Sequence, residues 1–367
     1  MACKTDGVSG MGVVSWNVNS LPACLKRLNK NSLAEFLEMW GSNTGIVCVQ
    51  ETKMRKEQLD ENYACPGGWE CMYSFYTCQS SKSVGYSGVA TFVRKGVAVP
   101  VAAHTSLTWN LQGASKEKNE WDDEGRCLIT DHGDFILYNL YAPASRVTQE
   151  GKTDSLKQQK ITDLMRISKV VEGVLVRKVQ EERQDSAIFA ILDEERYIYK
   201  RKFFALLEQS VREVVRSGRQ VMIVGDLNVA LAREDHFDPL SWEVEVGLSF
   251  ESSEFRLWMK QFLRMEGDET ALLDLFRVYF PDRPSAFTCW NQKNGSRITN
   301  SGTRIDYILL STALQGEVTN CDILPEMSGS DHCPVRASLS NPAYPRPQPT
   351  SAPPLAASKM PQFRKRL

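Results

Sequence analysis

Five apolar runs with β-strand character are each fused to a short polar motif, and this arrangement constrains the fold most strongly. The runs and motifs occupy residues 13–19, 46–52, 221–228, 303–309 and 328–335. Strands buried in a sheet present the residues that follow them at the sheet edge, where a ligand can reach them. We therefore expect one rim to carry the polar residues of all five motifs, which are Asn17, Glu51, Asp226, Asn228, Asp306, Asp331 and His332. Such a set of oxygen ligands with an Asp-His dipeptide suits Mg²⁺-dependent hydrolysis of phosphate esters.

The length and the charge of the chain limit its class. A chain of 367 residues can bury a substantial core, as one large α/β domain or as two ordinary ones. No apolar stretch is long enough to span a bilayer, so we do not expect the chain to be a membrane protein. The net charge of −1 excludes a uniformly cationic nucleic-acid binder of the histone type. Any binding of phosphates must therefore be local.

The first residues and the cysteines favour a reducing compartment. Residues 1–14 lack the apolar core of a secretory signal, which implies synthesis in the cytosol. Cys48, Cys127 and Cys333 lie in or beside apolar runs, where they would pack as small hydrophobic residues. The three cysteines within 65–78 have no nearby histidine, so we expect no structural zinc.

Strand-like and helix-like segments alternate along the chain. Strands are predicted over 12–17, 45–50, 87–93, 126–130 and 134–141, and helices over about 31–40, 197–216, 252–265 and 269–277.

The domain boundaries follow from changes in composition. We predict a flexible N-terminus over 1–10, a catalytic domain over 11–340 and a disordered, Pro-rich tail over 341–367. The polar, charged segment 151–195 has apolar residues at helical spacing and reads as a helical insertion, either packed on the domain or extending from it. The basic end of the tail, residues 364–366, is either a localisation or nucleic-acid element or an ordinary solvated charge run.

Glu51, Asn17 and Asp331 are the candidate ligands for a metal ion. Glu51 ends an apolar strand, where an unpaired carboxylate is costly unless a cation neutralises it. The amide of Asn17 can orient this carboxylate or the waters of the ion, and Asp331 supplies a second carboxylate. The alternatives are a solvated glutamate at a strand end and an asparagine that caps a turn.

Asp226 and Asn228 are candidates for a base and a hydrogen-bond donor. Gly225 permits a sharp exit from the strand, and the two following polar residues are spaced to face the same way in an extended segment. Asp226 would take a proton from an attacking water, while the Asn228 amide would bond the water or the phosphoryl oxygen. A β-turn with Asx hydrogen bonds is the alternative.

His332 is the candidate imidazole for the phosphate, with Asp306 as its orienting acid. A carboxylate on the distal ring nitrogen fixes the tautomer and raises the basicity of the ring. The alternative for an isolated histidine is a structural residue whose hydrogen bonds are satisfied within the core. Tyr141, at a strand end, would place its phenol on the phosphate, or serve packing alone.

The order of motifs along the chain resembles the exonuclease III-type AP endonucleases of the endonuclease/exonuclease/phosphatase superfamily. The resemblance rests on WNVN, QETK, YSGVATF, DDEGR, LYNLYAP, GDLN, FTCW, RIDYIL and SDHCPV, and it covers residues 11–340 apart from the insertion. FTCWN followed by GTRIDYIL is similar to the AP endonuclease 2 branch. The resemblance implies a deoxyribonuclease I-like fold, which is a four-layered α/β sandwich of two packed mixed β-sheets flanked by helices.

The resemblance also implies the roles of individual residues. It places Mg²⁺, with Mn²⁺ as a substitute, among Asn17, Glu51, Asp226, Asn228 and Asp331. It places Tyr141, Asp226, Asn228, Asp306 and His332 at the scissile phosphate. It places Lys53, Arg126 and Arg304 at positions that adjoin the site or the DNA backbone, with ordinary surface charge as the alternative, and it implies a lesion pocket lined by Phe287, Trp290 and Ile305.

Three departures from the AP endonuclease 1 pattern shift the expected substrate. Asn19 stands where those enzymes carry an aspartate, Ala144 where they carry an asparagine, and Thr303 where they carry an aromatic residue of the lesion pocket. We expect a more open pocket and a weaker grip on a flipped abasic sugar. Activity on 3′ ends therefore rises in rank relative to cleavage at internal abasic sites.

The expected partner is double-stranded DNA with abasic sites or with damaged or mismatched 3′ ends. We predict a nuclear monomer that does not bind membranes, with mitochondrial or cytoplasmic locations as alternatives. No sliding-clamp motif and no Cys/His cluster follow residue 340, so the sequence does not support clamp binding. The competing functions are hydrolysis of RNA, inositol phosphates or phospholipid head groups by the same superfamily fold, and a catalytically inactive DNA-binding module.

Overall fold

The apolar runs form two six-stranded sheets in the computed structural model. The structure describes residues 10–77, 86–98, 100–111, 123–145, 184–264, 272–292 and 295–340, with side chains in the long helix described from Glu194 onward.

The strands divide between the two large sheets and one small hairpin. The first sheet contains β1 (Gly10–Asn17), β2 (Thr44–Gln50), β3 (Trp69–Ser74), β4 (Val89–Arg94), β13 (Val318–Ile323) and β14 (Val335–Ser340) in the spatial order β13-β14-β1-β2-β4-β3. The second sheet contains β5 (Ala102–His104), β6 (Cys127–Asp131), β7 (Phe135–Tyr141), β8 (Gln220–Asp226), β9 (Leu272–Asp274) and β12 (Asp306–Ser311) in the order β5-β6-β7-β8-β12-β9. The hairpin pairs β10 (Cys289–Trp290) with β11 (Gly302–Thr303).

Strand direction brings the polar motifs to one end of the sandwich. The neighbours β1 and β2 are parallel, and so are β7 and β8, so each pair delivers its last residues to the same edge. Because β12 runs antiparallel to β8, its first residue, Asp306, pairs with the last residue of β8, Asp226. Both mixed sheets therefore present carboxylates at one rim.

Helices cover the outer faces of both sheets. They are α1 (Leu21–Arg27), α2 (Leu33–Glu38), α3 (Glu61–Ala64), α4 (Gln184–Arg216), α5 (Pro239–Val246), α6 (Glu254–Arg264) and α7 (Leu275–Tyr279), with 3-10 turns at Lys56–Gln58, Arg233–Asp235, Phe250–Ser252 and Thr312–Glu317. Serine hydroxyls at the N-caps accept hydrogen bonds from the first turns of α1 and α2 and satisfy donors that these helices leave free.

Alternation along the strands builds a core on each face of each sheet. On β8, Met222 and Val224 face the layer between the sheets, whereas Val221 and Ile223 face the cluster formed with α4 and α6. A third cluster packs α1 and α2 against the outer face of the first sheet. The predicted four-layered α/β sandwich is confirmed.

A buried amide joins the two sheets close to the rim. Asn139 on β7 donates to the carbonyl oxygen of Ala90 on β4 at 2.8 Å, and its own oxygen accepts from Gln50 on β2 at 2.8 Å. Gln50 also donates to Ser15 on β1 at 3.0 Å. Since these polar groups lie where apolar residues would otherwise pack, they specify one register of the sheets.

Two predicted helices differ from the observed ones. The helix predicted over 197–216 extends toward its N-terminus as far as Gln184, the first described residue of this segment, and no proline or glycine lies between Gln184 and Arg216. The helix predicted over 269–277 is a short strand followed by α7, because the Asp274 side chain accepts from the backbone N–H of Arg277 and caps α7 at that point.

Parts of the predicted domain plan lie outside the described residues. These parts are the predicted tail over 341–367, most of the predicted insertion over 151–195, and residues 1–9 of the predicted N-terminus. Residues 184–195 of the insertion belong to α4. Within the described ranges, no helix combines the length and the apolar composition needed to cross a membrane.

Candidate active site at the rim of the two sheets

The rim is built where strands end in unusual backbone conformations. Glu51 follows β2 and Asn228 follows β8, and both have a φ of 52°, in the left-handed region that non-glycine residues rarely adopt. Asn19, two residues after β1, has a φ of 45°. Such conformations occur often at functional sites, where surrounding contacts hold them in place.

Asn17 links two carboxylates across the sheets. Its Nδ2 donates to Glu51 Oε1 at 2.9 Å and to Asp226 Oδ2 at 3.0 Å. Asn17 is fully buried, and the side chain of Glu51 is 16% exposed. Burial alone would raise the pKa of Glu51, but the hydrogen bond from Asn17 and the ammonium group of Lys53 hold it below its ordinary value.

Asn19 and Lys53 complete the open side of this cluster. The Lys53 ammonium lies 2.9 Å from Glu51 Oε2 and donates a hydrogen bond to Asn19 Oδ1. Asn19 Nδ2 donates to Asp331 Oδ1 at 2.9 Å. Lys53, predicted to contact DNA, therefore forms an ion pair within the rim. The sequence singled out Asn19 only as a departure, although it joins Asp331 to the rest of the site.

Asp306 and His332 form the predicted pair. His332 Nδ1 lies 2.8 Å from Asp306 Oδ2, and the opposite ring nitrogen, Nε2, lies 3.8 Å from Asp226 Oδ2. Burial alone would lower the pKa of His332, but Asp306, followed by Cys289, outweighs it and raises the pKa well above its ordinary value. Asp306 therefore favours the charged form of an imidazole that lies beside the candidate base.

Thr288 is a member of the site that sequence reasoning missed. Its hydroxyl donates to Asp306 Oδ2 at 2.6 Å and accepts from the backbone N–H of Asp306. Thr288 lies in the FTCW motif, so a signal was present, but only the fold shows its contact with Asp306.

Asp226 has the environment of a general base. Burial is the main cause that raises its pKa to about 7, and Asp306 and Glu51 add to this, while His332 opposes it. Its Oδ1 accepts from the backbone N–H of Asn228 at 2.8 Å. A base with a pKa near neutrality accepts a proton efficiently at physiological pH.

Asn228 and Tyr141 flank Asp226 on the second sheet. Asn228 Nδ2 donates to the carbonyl oxygen of Ala142 at 2.9 Å, which leaves its other amide N–H for a ligand. Tyr141 is 8% exposed and ends β7 opposite Asp226 in the parallel register. Burial, followed by Glu51, raises the pKa of the Tyr141 phenol, so this group is a neutral donor.

The structure corrects the prediction that Arg126 and Arg304 contact the DNA backbone. They are 2% and 1% exposed, respectively. Arg126 donates to Glu124, Tyr86 and the Tyr141 carbonyl. The guanidinium group of each arginine donates its hydrogen bonds to partners inside the protein, as that of Arg304 does to Asp235, and is not available to a ligand.

The predicted lesion pocket is also corrected in part. Phe287 and Trp290 are 4% and 3% exposed and belong to the core between the sheets, so they do not line an open pocket. Ile305 is partly exposed beside Asp306.

The donor atoms of the rim fit a divalent cation. Ligand-type atoms of Asp226, Asp306 and His332 lie within 4.8 Å of one another. Asp306 and His332 bond each other, however, and on the open side of the rim Glu51 Oε1 accepts from Asn17 while Glu51 Oε2 pairs with the Lys53 ammonium. Hard carboxylate and amide oxygens are the ligands that Mg²⁺ and Mn²⁺ take.

Two packed six-stranded sheets with carboxylates and a His-Asp pair at one end define the deoxyribonuclease I-like class of proteins. The family model described as Endonuclease/Exonuclease/phosphatase family matches residues 14–332. The chain belongs to this family.

Known relatives agree with the predicted branch. The chain is 32% identical to DNA-(apurinic or apyrimidinic site) endonuclease 2 of Xenopus laevis over 96% of this chain and 63% of that protein. The solved catalytic domain of Xenopus laevis APE2 superposes with a TM-score of 0.65 at 30% identity, covering 90% of this chain and 92% of that one. The exodeoxyribonuclease of Bacillus subtilis is 26% identical over 90% of this chain and its own full length. The resemblance to the AP endonuclease 2 branch is confirmed, while the chain spans about three fifths of the curated AP endonuclease 2 relatives.

Proposed function

We propose that this chain is a Mg²⁺-dependent DNA-repair phosphodiesterase. It acts as a 3′–5′ exonuclease and 3′-phosphodiesterase on damaged or mismatched 3′ ends, and it cuts on the 5′ side of abasic sites to leave 3′-OH ends. The observation that carries the proposal is the meeting of the Asn17–Glu51 pair with Asp226 and the His332–Asp306 pair at one rim. The family and its AP endonuclease 2 relatives support DNA as the substrate.

The reaction we propose is the in-line attack of water on phosphorus. Asp226 takes the proton of the water whose oxygen bonds to phosphorus, the bond from phosphorus to the 3′ oxygen breaks, and that oxygen takes a proton from solvent. His332, oriented and kept charged by Asp306, donates to a phosphoryl oxygen as negative charge develops there. Asn228 and the Tyr141 phenol donate to the water or the phosphate.

Glu51, Asn17 and Asp331 are the proposed residues that hold the cation. When bound, Mg²⁺ would neutralise phosphate charge as a Lewis acid, and Mn²⁺ would substitute for it. We assign Asp226 and Asn228 to the water instead, because burial raises the pKa of Asp226, as suits a general base, and the backbone N–H of Asn228 orients Asp226 Oδ1 at 2.8 Å.

The proposed preference for 3′ ends rests on what surrounds the rim. The buried positions of Phe287 and Trp290 offer little aromatic surface to a flipped sugar. Thr303 is partly exposed on β11, and Ala144 is exposed after Tyr141, where small side chains give few contacts. A terminal nucleotide needs no flipping, so it pays a smaller unstacking cost at such a site.

One panel of substrates tests the function. Purified protein would be assayed with Mg²⁺ or EDTA on a recessed 3′-phosphoglycolate duplex, an abasic duplex, RNA and inositol phosphates. We expect Mg²⁺-dependent turnover of both duplexes, with the 3′-blocked end processed faster. Asp226→Asn should lower kcat by at least about 100-fold, as loss of a general base does. Asp134→Asn, which makes the same change at an exposed loop position, should not.

The competing functions give different results in the same panel. Turnover of RNA or inositol phosphates alone would assign the other chemistry of this superfamily, and DNA binding without turnover would identify an inactive module. Full activity in Asp226→Asn would refute the role of the base.

We further propose that the protein acts as a monomer on double-stranded DNA in the nucleus. DNA affinity should fall as salt rises, because phosphate contacts release counterions. A fluorescent fusion would test the nuclear location, and sedimentation the oligomeric state.

A further inference from the structure

Lys200 occupies a core position that an apolar residue would ordinarily take. The inward face of α4 carries Phe203, Phe204, Leu207 and Val211, all buried at helical spacing. Lys200 continues that face by one turn and is 3% exposed. A buried ammonium group is costly unless nearby groups compensate for the lost water.

The compensating groups lead directly to the rim. The Lys200 ammonium donates to the carbonyl oxygen of Asn228 at 2.9 Å and lies 4.6 Å from the ring centroid of Phe255 and 5.7 Å from that of Phe204. Among the described residues, no carboxylate forms an ion pair with it. Within the described part of the chain, its one direct hydrogen bond is to the carbonyl oxygen of Asn228, two residues after Asp226.

Asn228 needs such support. Its φ of 52° lies in the left-handed region that non-glycine residues adopt less often, and its backbone N–H and side-chain amide donate to the Asp226 carboxylate and to the Ala142 carbonyl oxygen, respectively. The hydrogen bond from the Lys200 ammonium fixes the carbonyl oxygen of Asn228, which is the other backbone polar group of this residue. The orientation of the Asp226 carboxylate depends on the same residue.

We propose that Lys200 is a positioning residue for the reaction, holding Asn228 in its left-handed conformation from behind and thereby setting Asp226 toward the attacking water. The expected effect on kcat rests on the proposed function, whereas the expected support of the Asn228 conformation does not. A methionine would fill the same space without the cost of burying a charge, so packing does not explain the lysine.

The kinetic test uses Lys200→Met, with Lys202→Met as the matched control at an exposed position of the same helix. On the 3′-blocked duplex we expect Lys200→Met to lower kcat by about 10- to 100-fold, as small displacements of reacting groups do, and to leave KM within about threefold. The melting temperature should stay equal or rise. Lys202→Met should leave kcat unchanged. An unchanged kcat in Lys200→Met would refute the proposal.

A second readout does not depend on turnover. Amide hydrogen exchange, followed by mass spectrometry on peptides spanning 226–229, should be faster in Lys200→Met than in the wild type and unchanged in Lys202→Met. Unchanged exchange overturns the proposal, even if kcat falls. If the wild type turns over no DNA, the proposed function fails and the exchange result alone decides the role of Lys200. Should Lys200→Met fail to fold, Lys200→Gln, whose shorter side chain also loses the contact, would be read in the same way.

Discussion

Replacing Arg304 separates a structural role from a role in DNA binding. This arginine precedes β12, two residues before Asp306, and donates four hydrogen bonds of 2.7–3.1 Å to the carboxylates of Asp235 and Asp274. All three side chains are buried. Arg304→Met keeps much of the apolar stem and removes the charge from between two carboxylates.

The expected loss of stability follows from those contacts. Breaking a buried ion pair by removing one partner costs about 3–5 kcal/mol, because the other charge stays buried without compensation. Arg277 still donates to Asp235 at 2.6 Å in the variant, so we expect the lower end, about 3 kcal/mol. For a large domain this corresponds to a fall in melting temperature of about 6 °C.

The pH dependence has a definite sign. Burial alone would raise the pKa of Asp235, but Arg304 and Arg277 outweigh it and hold the pKa below its ordinary value of 3.8. A carboxyl with a lowered folded-state pKa stabilises the fold above its unfolded pKa, and this stability is lost as the pH falls through the folded value. The free energy of unfolding of the wild type should therefore decline below about pH 3.8, and the decline should be smaller in Arg304→Met.

Urea unfolding and DNA titration at several salt concentrations provide the assay. Arg216→Met, at an exposed position of α4, is the control and should change stability by less than about 0.5 kcal/mol. The salt slope of DNA affinity should stay unchanged in Arg304→Met. A variant of wild-type stability whose slope falls by about one would refute this reasoning and restore a phosphate contact.

Three further substitutions test other parts of the fold. Asp306→Asn should lower kcat by about 100-fold or more in the nuclease assay, because His332 loses the anion that keeps it charged. Asn139→Leu should cost about 2–3 kcal/mol in urea unfolding, since its partners on the other sheet are left unsatisfied. Gly225→Ala should lower the melting temperature by an amount equivalent to about 2–4 kcal/mol, because φ is +126° and a Cβ would overlap the Leu140 carbonyl oxygen. If a variant gave the wild-type value in its assay, the role assigned here to the corresponding contact would be wrong.

The convergence of the polar motifs could be predicted because strand ends carry it. Glu51 and Asp226 each follow a run of apolar residues that can only be a buried strand, and parallel neighbours end at the same edge. The His332–Asp306 pair was predicted from chemistry, and the structure places its atoms at 2.8 Å. Local pattern and elementary site chemistry were sufficient for these features.

Other features had no local signal. The strands β3, β5 and β13 are short or lie at sheet edges, so their patterns were too weak to identify. The extension of α4 before Tyr197 was hidden because the charged residues there obscure the helical period. Tertiary pairing and packing decide such elements more than propensity does.

By itself, the sequence determined the alternation of strands and helices and the polar motifs of the rim, because periodicity and strand ends are local properties, while the four-layered sandwich was implied by the family resemblance. Only the tertiary structure decided which charges face a ligand. Arg126 and Arg304 are committed inside, Lys53 pairs with Glu51, and Lys200 reaches Asn228 from the core. The physical reason is that the energy of a charge depends on its burial and its partners, and those partners come from distant parts of the chain.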